Sequence, residues 1–267
     1  MMTHSTNDDG EDSPRADHRT RLYNARGIIL RRRDLGEADR IVTVYTNEFG
    51  KRSLAARGSR KTTSRIAGQL EPFSLVQLFV ARTRGLHIIS QVQAVEVFQR
   101  MRANEVAITV SGMFAELVDW MTPEDQPNSG VFDLLQASLT LLDSDRDPGL
   151  ITIAFEIGLL RHLGYRPELY RCGVCGNELQ PGENGFSLET GVVCLNCRSN
   201  APSVLPITLD ALKLLRAIDR GQLSALLDLK INPTVLTEAD SILTVYIQRI
   251  TGKESRARQV FRDLRLQ

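Results

Sequence analysis

The 267-residue sequence predicts an α+β, multi-domain protein: a small β-barrel first, then an α-helical domain carrying a cysteine-bearing insertion. Three observations predict it. Strand-like segments of period two end near residue 101, and a helical period of about 3.6 takes over. All four cysteines fall between Cys172 and Cys197. Six basic residues and no acid lie between Gly50 and Arg65, in a chain whose formal net charge is +1. The expected divisions are a disordered acidic tail over residues 1–20, a barrel domain over 21–101 and a helical domain over 102–267. The insertion is expected at about 170–200.

A hydrophobic content of 42% with 24% charged residues suits a globular chain. No apolar run approaches the roughly 20 residues that a membrane helix needs. The opening MMTHSTNDDGEDSPRADHRT has no apolar core, so no signal peptide is expected and the chain is expected to stay in the cytoplasm. Five acids against Arg15 and Arg19 make residues 1–20 an acidic tail.

From Arg21 the composition inverts: residues 21–65 hold twelve basic residues against four acids. Tyr23 to Arg33 reads as a first strand. Ile41-Val42-Thr43-Val44-Tyr45-Thr46 is β-branched and aromatic, as a second strand should be. Asn47 to Gly50 is expected to turn the chain into a third strand running through Leu54 to Arg57. Leu70 to Thr83 reads as a fourth strand, with Arg82 and Arg84 at its far end. Gly85 turns into a fifth, Leu86 to Phe98, whose alternation slips by one near Ala94 and predicts a bulge there. Five such strands, broken by a turn or helix after the third, suit a Greek-key barrel of the OB type. An SH3-like barrel would give nearly the same pattern.

Lys51, Arg52, Arg57, Arg60, Lys61 and Arg65 form the basic block on this barrel, a candidate phosphate-binding surface. A solvated face without a partner has the same composition. Tyr23, Tyr45, Phe49 and Phe73 could stack on bases or fill the core. Glu37 and Asp39 around Arg40 read as a turn with a local ion pair.

Val106, Val110, Met113, Phe114, Leu117, Val118 and Met121 lie on one helix face, read as core. Asn128-Ser129-Gly130 starts a second helix and Asp147-Pro148 a third, with Gly164 and Pro167 as its stop. His162 sits in the last turn, where a cation would suit the helix dipole, and is read as structural. Thr208 caps a later helix that ends at Gly221, and a weaker segment runs from Leu223 to Ile231. A long helix runs from about Thr234 to Thr251. The tail from Lys253 to Arg258 is basic again and is expected to lie near the barrel or contact phosphate.

Cys172-Gly-Val-Cys175 and Cys194-Leu-Asn-Cys197 are separated by eighteen residues. Each CxxC turn places two thiolates on one side of a knuckle, and two knuckles complete a tetrahedral sulfur site. Phe186 to Val193 is expected to form the hairpin that brings the second pair over the first. Zinc suits this donor set, and iron is the alternative. Four sulfur ligands fill the coordination sphere, so the metal is read as structural.

Gly50-Lys51 and Gly252-Lys253 are not phosphate loops, because Tyr45 and Ile247 stand where glycine is required. The four histidines are scattered without metal-ligand spacing. Nothing in the sequence calls for catalysis, and the chain is read as a non-enzyme.

The segments Gly36-Glu-Ala-Asp-Arg-Ile-Val-Thr-Val-Tyr-Thr46, Gly50-Lys51, Gly58-Ser-Arg60-Lys61 and Leu70-Glu71-Pro72-Phe73 resemble the N-terminal domain of bacterial RecO recombination-repair proteins. Gly158-Leu-Leu-Arg-His-Leu-Gly164-Tyr-Arg-Pro167 with the cysteine pairs is similar to the middle of that family, and Lys253-Glu-Ser255-Arg256 to its closing motif. The resemblance covers roughly residues 21–265, and the acidic N-terminal extension departs from it. It implies an OB-fold followed by a helical domain with a zinc ribbon. It also implies a mediator of DNA repair and homologous recombination in the RecF pathway. Such a protein binds single- and double-stranded DNA, anneals complementary strands and assists RecA loading. RecR and, in some members, single-strand-binding protein are the implied partners, and the nucleoid the implied location. Lys51, Arg52, Arg57, Arg60, Lys61 and Arg65 occupy the segment to which the family's DNA contacts are attributed. A different reading makes the chain a zinc-containing interaction adaptor whose basic face meets an acidic protein.

Overall fold

The computed structural model describes residues 22–221, 225, 227–228 and 230–265. The expected acidic tail over residues 1–20 lies outside them, as does part of the segment expected from Leu223 to Ile231.

Five strands close into a barrel: β1 (Leu22–Leu35), β2 (Asp39–Thr46), β3 (Gly50–Ala56), β4 (Leu75–Ala81) and β5 (Ile88–Glu96). Their order around it is β1-β2-β3-β5-β4. β1 is long enough to serve two neighbours. Leu22 to Ile28 pairs with β4 and Gly27 to Leu35 with β2, and the register against β2 shifts between Ile29 and Arg31. β3 and β5 meet in parallel at Ala55 and Ile88. That circuit is the OB arrangement and settles the choice against an SH3-like barrel. The bulge expected near Ala94 is present: Glu96 pairs with Leu75 and Ala94 with Val76, leaving Val95 as the extra residue. Val42, Val44, Leu54, Val76, Leu78 and Val80 fill the interior, as the period-two alternation requires, and Leu70 lies buried among them.

The chain then turns helical. A short α1 (Gln99–Ala103), absent from the sequence reading, precedes α2 (Glu105–Met121). α3 (Ser129–Leu142) and α4 (Pro148–His162) follow, with Asn104, Asn128 and Asp147 capping the three longer helices. α4 is buried continuously from Gly149 to Leu160, so it forms the centre of the helical part. Phe155 stacks on Phe114 of α2 with centroids 3.9 Å apart. A three-stranded sheet of β6 (Gly185–Ser187), β7 (Gly191–Val193) and β8 (Val204–Pro206) carries the cysteines, with α5 (Leu195–Arg198) in the second pair. α6 (Leu209–Asp219) and α7 (Pro233–Thr251) return to pack on α4.

A last helix, α8 (Arg256–Arg265), packs against α2 where the sequence reading expected a basic tail. Its apolar anchor is Phe261, 1% exposed, and Ser255 starts it by accepting the Arg258 N–H. One aromatic in so polar a segment gives too little periodicity to read. Arg258 is not available for phosphate. It is 5% exposed and paired with Glu156 of α4 and Asp240 of α7.

Barrel and helices share a core, in which Ile28, Leu30, Tyr45 and Leu75 join the helical side chains. The outward side of β3 is covered by the α2–α3 connection. Ser53 donates to Glu124, and the Asp125 N–H donates to the Lys51 carbonyl. Gly50 has φ +67°, and a Cβ there would fall 2.1 Å from the Gln126 carbonyl oxygen. Arg102 ties the joint from the other side, donating to the carbonyls of Val97 and Pro72 and to Ser74 Oγ. Tyr45 is 0% exposed, and burial pushes its phenol up to about 12, so it is core and not a stacking surface.

Candidate nucleic-acid interface and four-cysteine centre

The basic block divides in three. Lys51 is only 9% exposed. Its ammonium donates to the Asp119 carbonyl at 2.5 Å and lies 3.3 Å from the Asp119 carboxylate. It therefore closes the barrel–helix joint and does not face solvent. Arg52 is half-buried, paired with Asp125 at 2.7 Å and held over the Phe49 ring. The other four lie on the loop that leaves β3. Its backbone is pinned: Gly58 N–H donates to Asp39 Oδ1 at 2.7 Å, and Arg60 N–H to the Ala38 carbonyl at 2.9 Å. Arg60 also donates from its guanidinium to the Gly36 carbonyl and reaches Asp34. Arg57, Lys61 and Arg65 are exposed and have no acidic partner among the described residues. Three cations on a braced loop, with a fourth partly neutralised beside them, are what this structure offers a phosphate backbone.

The Glu37–Asp39–Arg40 turn differs from expectation. Arg40 pairs with Asp34, while Asp39 is used on the basic loop. Spacing alone hid this, because Asp34 and Arg40 become neighbours only when β1 and β2 pair.

A second group at the barrel rim escaped the sequence reading. The Tyr23 ring meets Phe49 edge-on at 4.8 Å, the Arg82 guanidinium lies 4.8 Å from the Tyr23 centroid, and Tyr23 OH contacts His87 Nδ1 at 3.0 Å. Burial, then Arg52 and Arg82, hold His87 below the usual histidine range, so it is neutral at pH 7. These residues come from four separate segments, so no local pattern could group them. Arg82 and Arg84 at the end of β4 were the available signal.

His162 packs against α3. Burial and the adjacent Arg161 lower its pKa, so it is a neutral ring packed on Gly130 and not a dipole-capping cation.

The four cysteine sulfurs converge: those of Cys172, Cys175, Cys194 and Cys197 lie within 4.8 Å of one another. A tetrahedral zinc with bonds of about 2.3 Å holds its sulfurs about 3.8 Å apart, so the cluster is compatible with that ion. Each knuckle is shaped by its backbone. Gly176 N–H donates to the Cys172 carbonyl, and Cys197 N–H to that of Cys194. The β6–β7 hairpin carries the second pair to the first, with Gly173 N–H bonded to the Val192 carbonyl at 2.8 Å. Gly191 makes the approach possible, because a Cβ there would lie 2.3 Å from the Glu168 carbonyl oxygen. Burial raises the Cys172 thiol, but N–H groups of Cys175, Cys194 and Val174 outweigh it and bring it down to about 6. Contact with the Cys194 and Cys175 sulfurs pushes Cys197 up to about 12. Thiols crowded this way cannot all ionise together unless a cation joins them.

An OB barrel with a cationic loop, joined to a helical part bearing a four-cysteine module, defines a class of nucleic-acid-handling protein. The family description "Recombination protein O N terminal" matches residues 20–98, and "Recombination protein O C terminal" matches residues 103–259. The chain is 38% identical to the DNA repair protein RecO of Roseiflexus sp. (strain RS-1), over 92% of this chain and 87% of that one. It is 34% identical to the protein of that name from Dehalococcoides mccartyi, over 91% and 96%, and 32% identical to that of Bacillus pumilus, over 86% and 90%. The chain belongs to the recombination protein O family. A place in DNA repair and recombination goes with that membership. Among the described residues no helix is long and apolar enough to cross a membrane.

Proposed function

We propose that this chain is a non-enzymatic mediator of recombinational DNA repair that binds single- and double-stranded DNA and anneals complementary strands. In this reading it works with RecR and single-strand-binding protein to assist RecA loading. Residues 21–101 act as the DNA-binding domain, and 102–267 as the domain that positions it and meets partners. The observation that carries the reading is the set Arg57, Lys61 and Arg65, uncompensated on a loop whose backbone is fixed. Phosphate neutralisation by such a loop gives affinity without sequence preference and leaves the bases free to pair. Lys51 and Arg52 are withdrawn from the contact set because each is occupied by an acid of the helical part.

The test is the salt dependence of single-strand binding. Four contacts, from Arg57, Arg60, Lys61 and Arg65, give log affinity against log salt a slope of about −2.8, at about −0.7 per phosphate. A flat response removes the reading.

The four cysteines hold structural zinc in this proposal. Metal analysis is expected to find a single zinc ion per chain, with all four thiols protected from alkylation until a chelator is added. Iron in its place, or thiols that alkylate readily in the untreated protein, would overturn it.

A further inference from the structure

Where the four-cysteine module joins the helices, three arginines gather around one tyrosine and a fourth reaches the aspartate beside it. Arg166, Arg216 and Arg220 each place a guanidinium 5.6–5.8 Å from the Tyr170 ring centroid. Arg161, in the last turn of α4, donates to the Asp219 carbonyl. One buried carboxylate anchors the group. Asp219, its side chain 1% exposed, accepts Arg166 through both oxygens at 2.8 and 2.5 Å and the Tyr170 hydroxyl at 2.7 Å. The nearby Glu168 accepts the backbone N–H groups of Tyr170 and Arg171. Burial and Asp219 raise the Tyr170 phenol, so the ring adds no negative charge.

Part of this is architecture. Arg166 locks the linker after α4 to α6 through Asp219, and Arg216 does so through the Leu169 carbonyl. Arg161 and Arg220 are different. Both are exposed, and the hydrogen bonds they donate from their side chains go to backbone carbonyls, Arg161 from Nη1 and Arg220 from Nε. Each guanidinium has five N–H donors, so most are left over. Four arginines against two acids leave a surplus of two positive charges, held close by buried anchors. An all-arginine group presents forked donors that match phosphate oxygens two at a time.

We propose that the arginine cluster around Tyr170 is a second phosphate-binding site, which holds the backbone of a second DNA strand while the barrel loop holds the first. This rests on the DNA-annealing reading above. Annealing needs two strands side by side with their repulsion screened, and the barrel loop supplies cations for one.

Second-strand capture tests it. Full-length protein is loaded on immobilised oligothymidylate, and a labelled, non-complementary oligothymidylate is then added, so that capture owes nothing to base pairing. The R161E/R220E double variant keeps the Arg166–Asp219–Tyr170 lock. It is expected to bind the first strand within about twofold of the parent and to capture the second at least about tenfold more weakly, one charge-assisted phosphate contact being lost per arginine. Its capture is also expected to depend less on salt, by a slope of about 1.4 for two phosphates. If the reversed variant fails to fold, judged by its melting temperature and thiol protection, the R161Q/R220Q variant replaces it with the same expectation. Undiminished capture by a folded variant overturns the second site alone. A parent that fails to hold even the first strand overturns the annealing reading beneath it.

Discussion

Reversing Arg57, Lys61 and Arg65 together to glutamate is expected to lower single-strand affinity by at least about 100-fold. It should also flatten the salt slope by about 2, at about 0.7 per phosphate contact. The magnitude follows from three contacts of about 1 kcal/mol each, with every 1.4 kcal/mol equal to tenfold in affinity. Stability should change little. All three side chains are exposed and make no ion pair among the described residues, so the fold does not rest on them. Lys51→Ala is the contrasting variant. It is predicted to leave the affinity of the folded protein intact and to cost about 1–2 kcal/mol of stability, because the joint against Asp119 loses its ammonium while Arg31 still pairs with that acid. Binding titrations beside denaturant melts separate the two outcomes. A triple variant that binds DNA like the parent but loses a protein partner would turn the loop into the adaptor surface of the alternative reading.

The largest effect on stability is predicted at Arg258. Its guanidinium joins Glu156, 0% exposed, to Asp240 and donates to Thr244 Oγ1 at 2.7 Å. Arg258→Ala leaves a deeply buried carboxylate without its cation. Breaking a buried pair from one side costs about 3–5 kcal/mol. Most of that is the desolvation of Glu156, whose side chain is fully buried. The double variant Glu156→Gln with Arg258→Met is expected to recover part of the loss, since the Glu156 charge is gone and Arg262 still reaches Asp240 at 3.9 Å. Because Arg258 ties α8 to α4 and α7, the N–H groups of α8 should also exchange faster in Arg258→Ala than in the parent. A single variant within about 1 kcal/mol of the parent would show that the cluster carries no such weight.

Much of the architecture was legible because its causes are local. β-Branched runs marked the strands, and a one-residue slip in alternation marked the bulge near Ala94. Asn128, Asp147 and Thr208 announced helix starts by accepting N–H groups two or three residues on. Cysteine spacing announced the convergent sulfurs. α8 was not legible. Its stability comes from a buried arginine and one phenylalanine, and in sequence a buried arginine looks like any other. The Tyr170 cluster was hidden for a related reason. Arg161, Arg166, Arg216 and Arg220 sit on segments separated by the whole four-cysteine module, so no window along the chain contains them all.

The basic block shows where the division falls. Local composition by itself determined that a cationic segment would leave the third strand of a barrel, since charge and strand propensity are properties of neighbours along the chain. Which of its six cations face solvent was decided only by tertiary structure. Lys51 and Arg52 are covered because the α2–α3 connection packs over their strand, and the acid that holds Lys51 stands 68 residues away. Arg57, Lys61 and Arg65 remain exposed because nothing among the described residues packs over their loop.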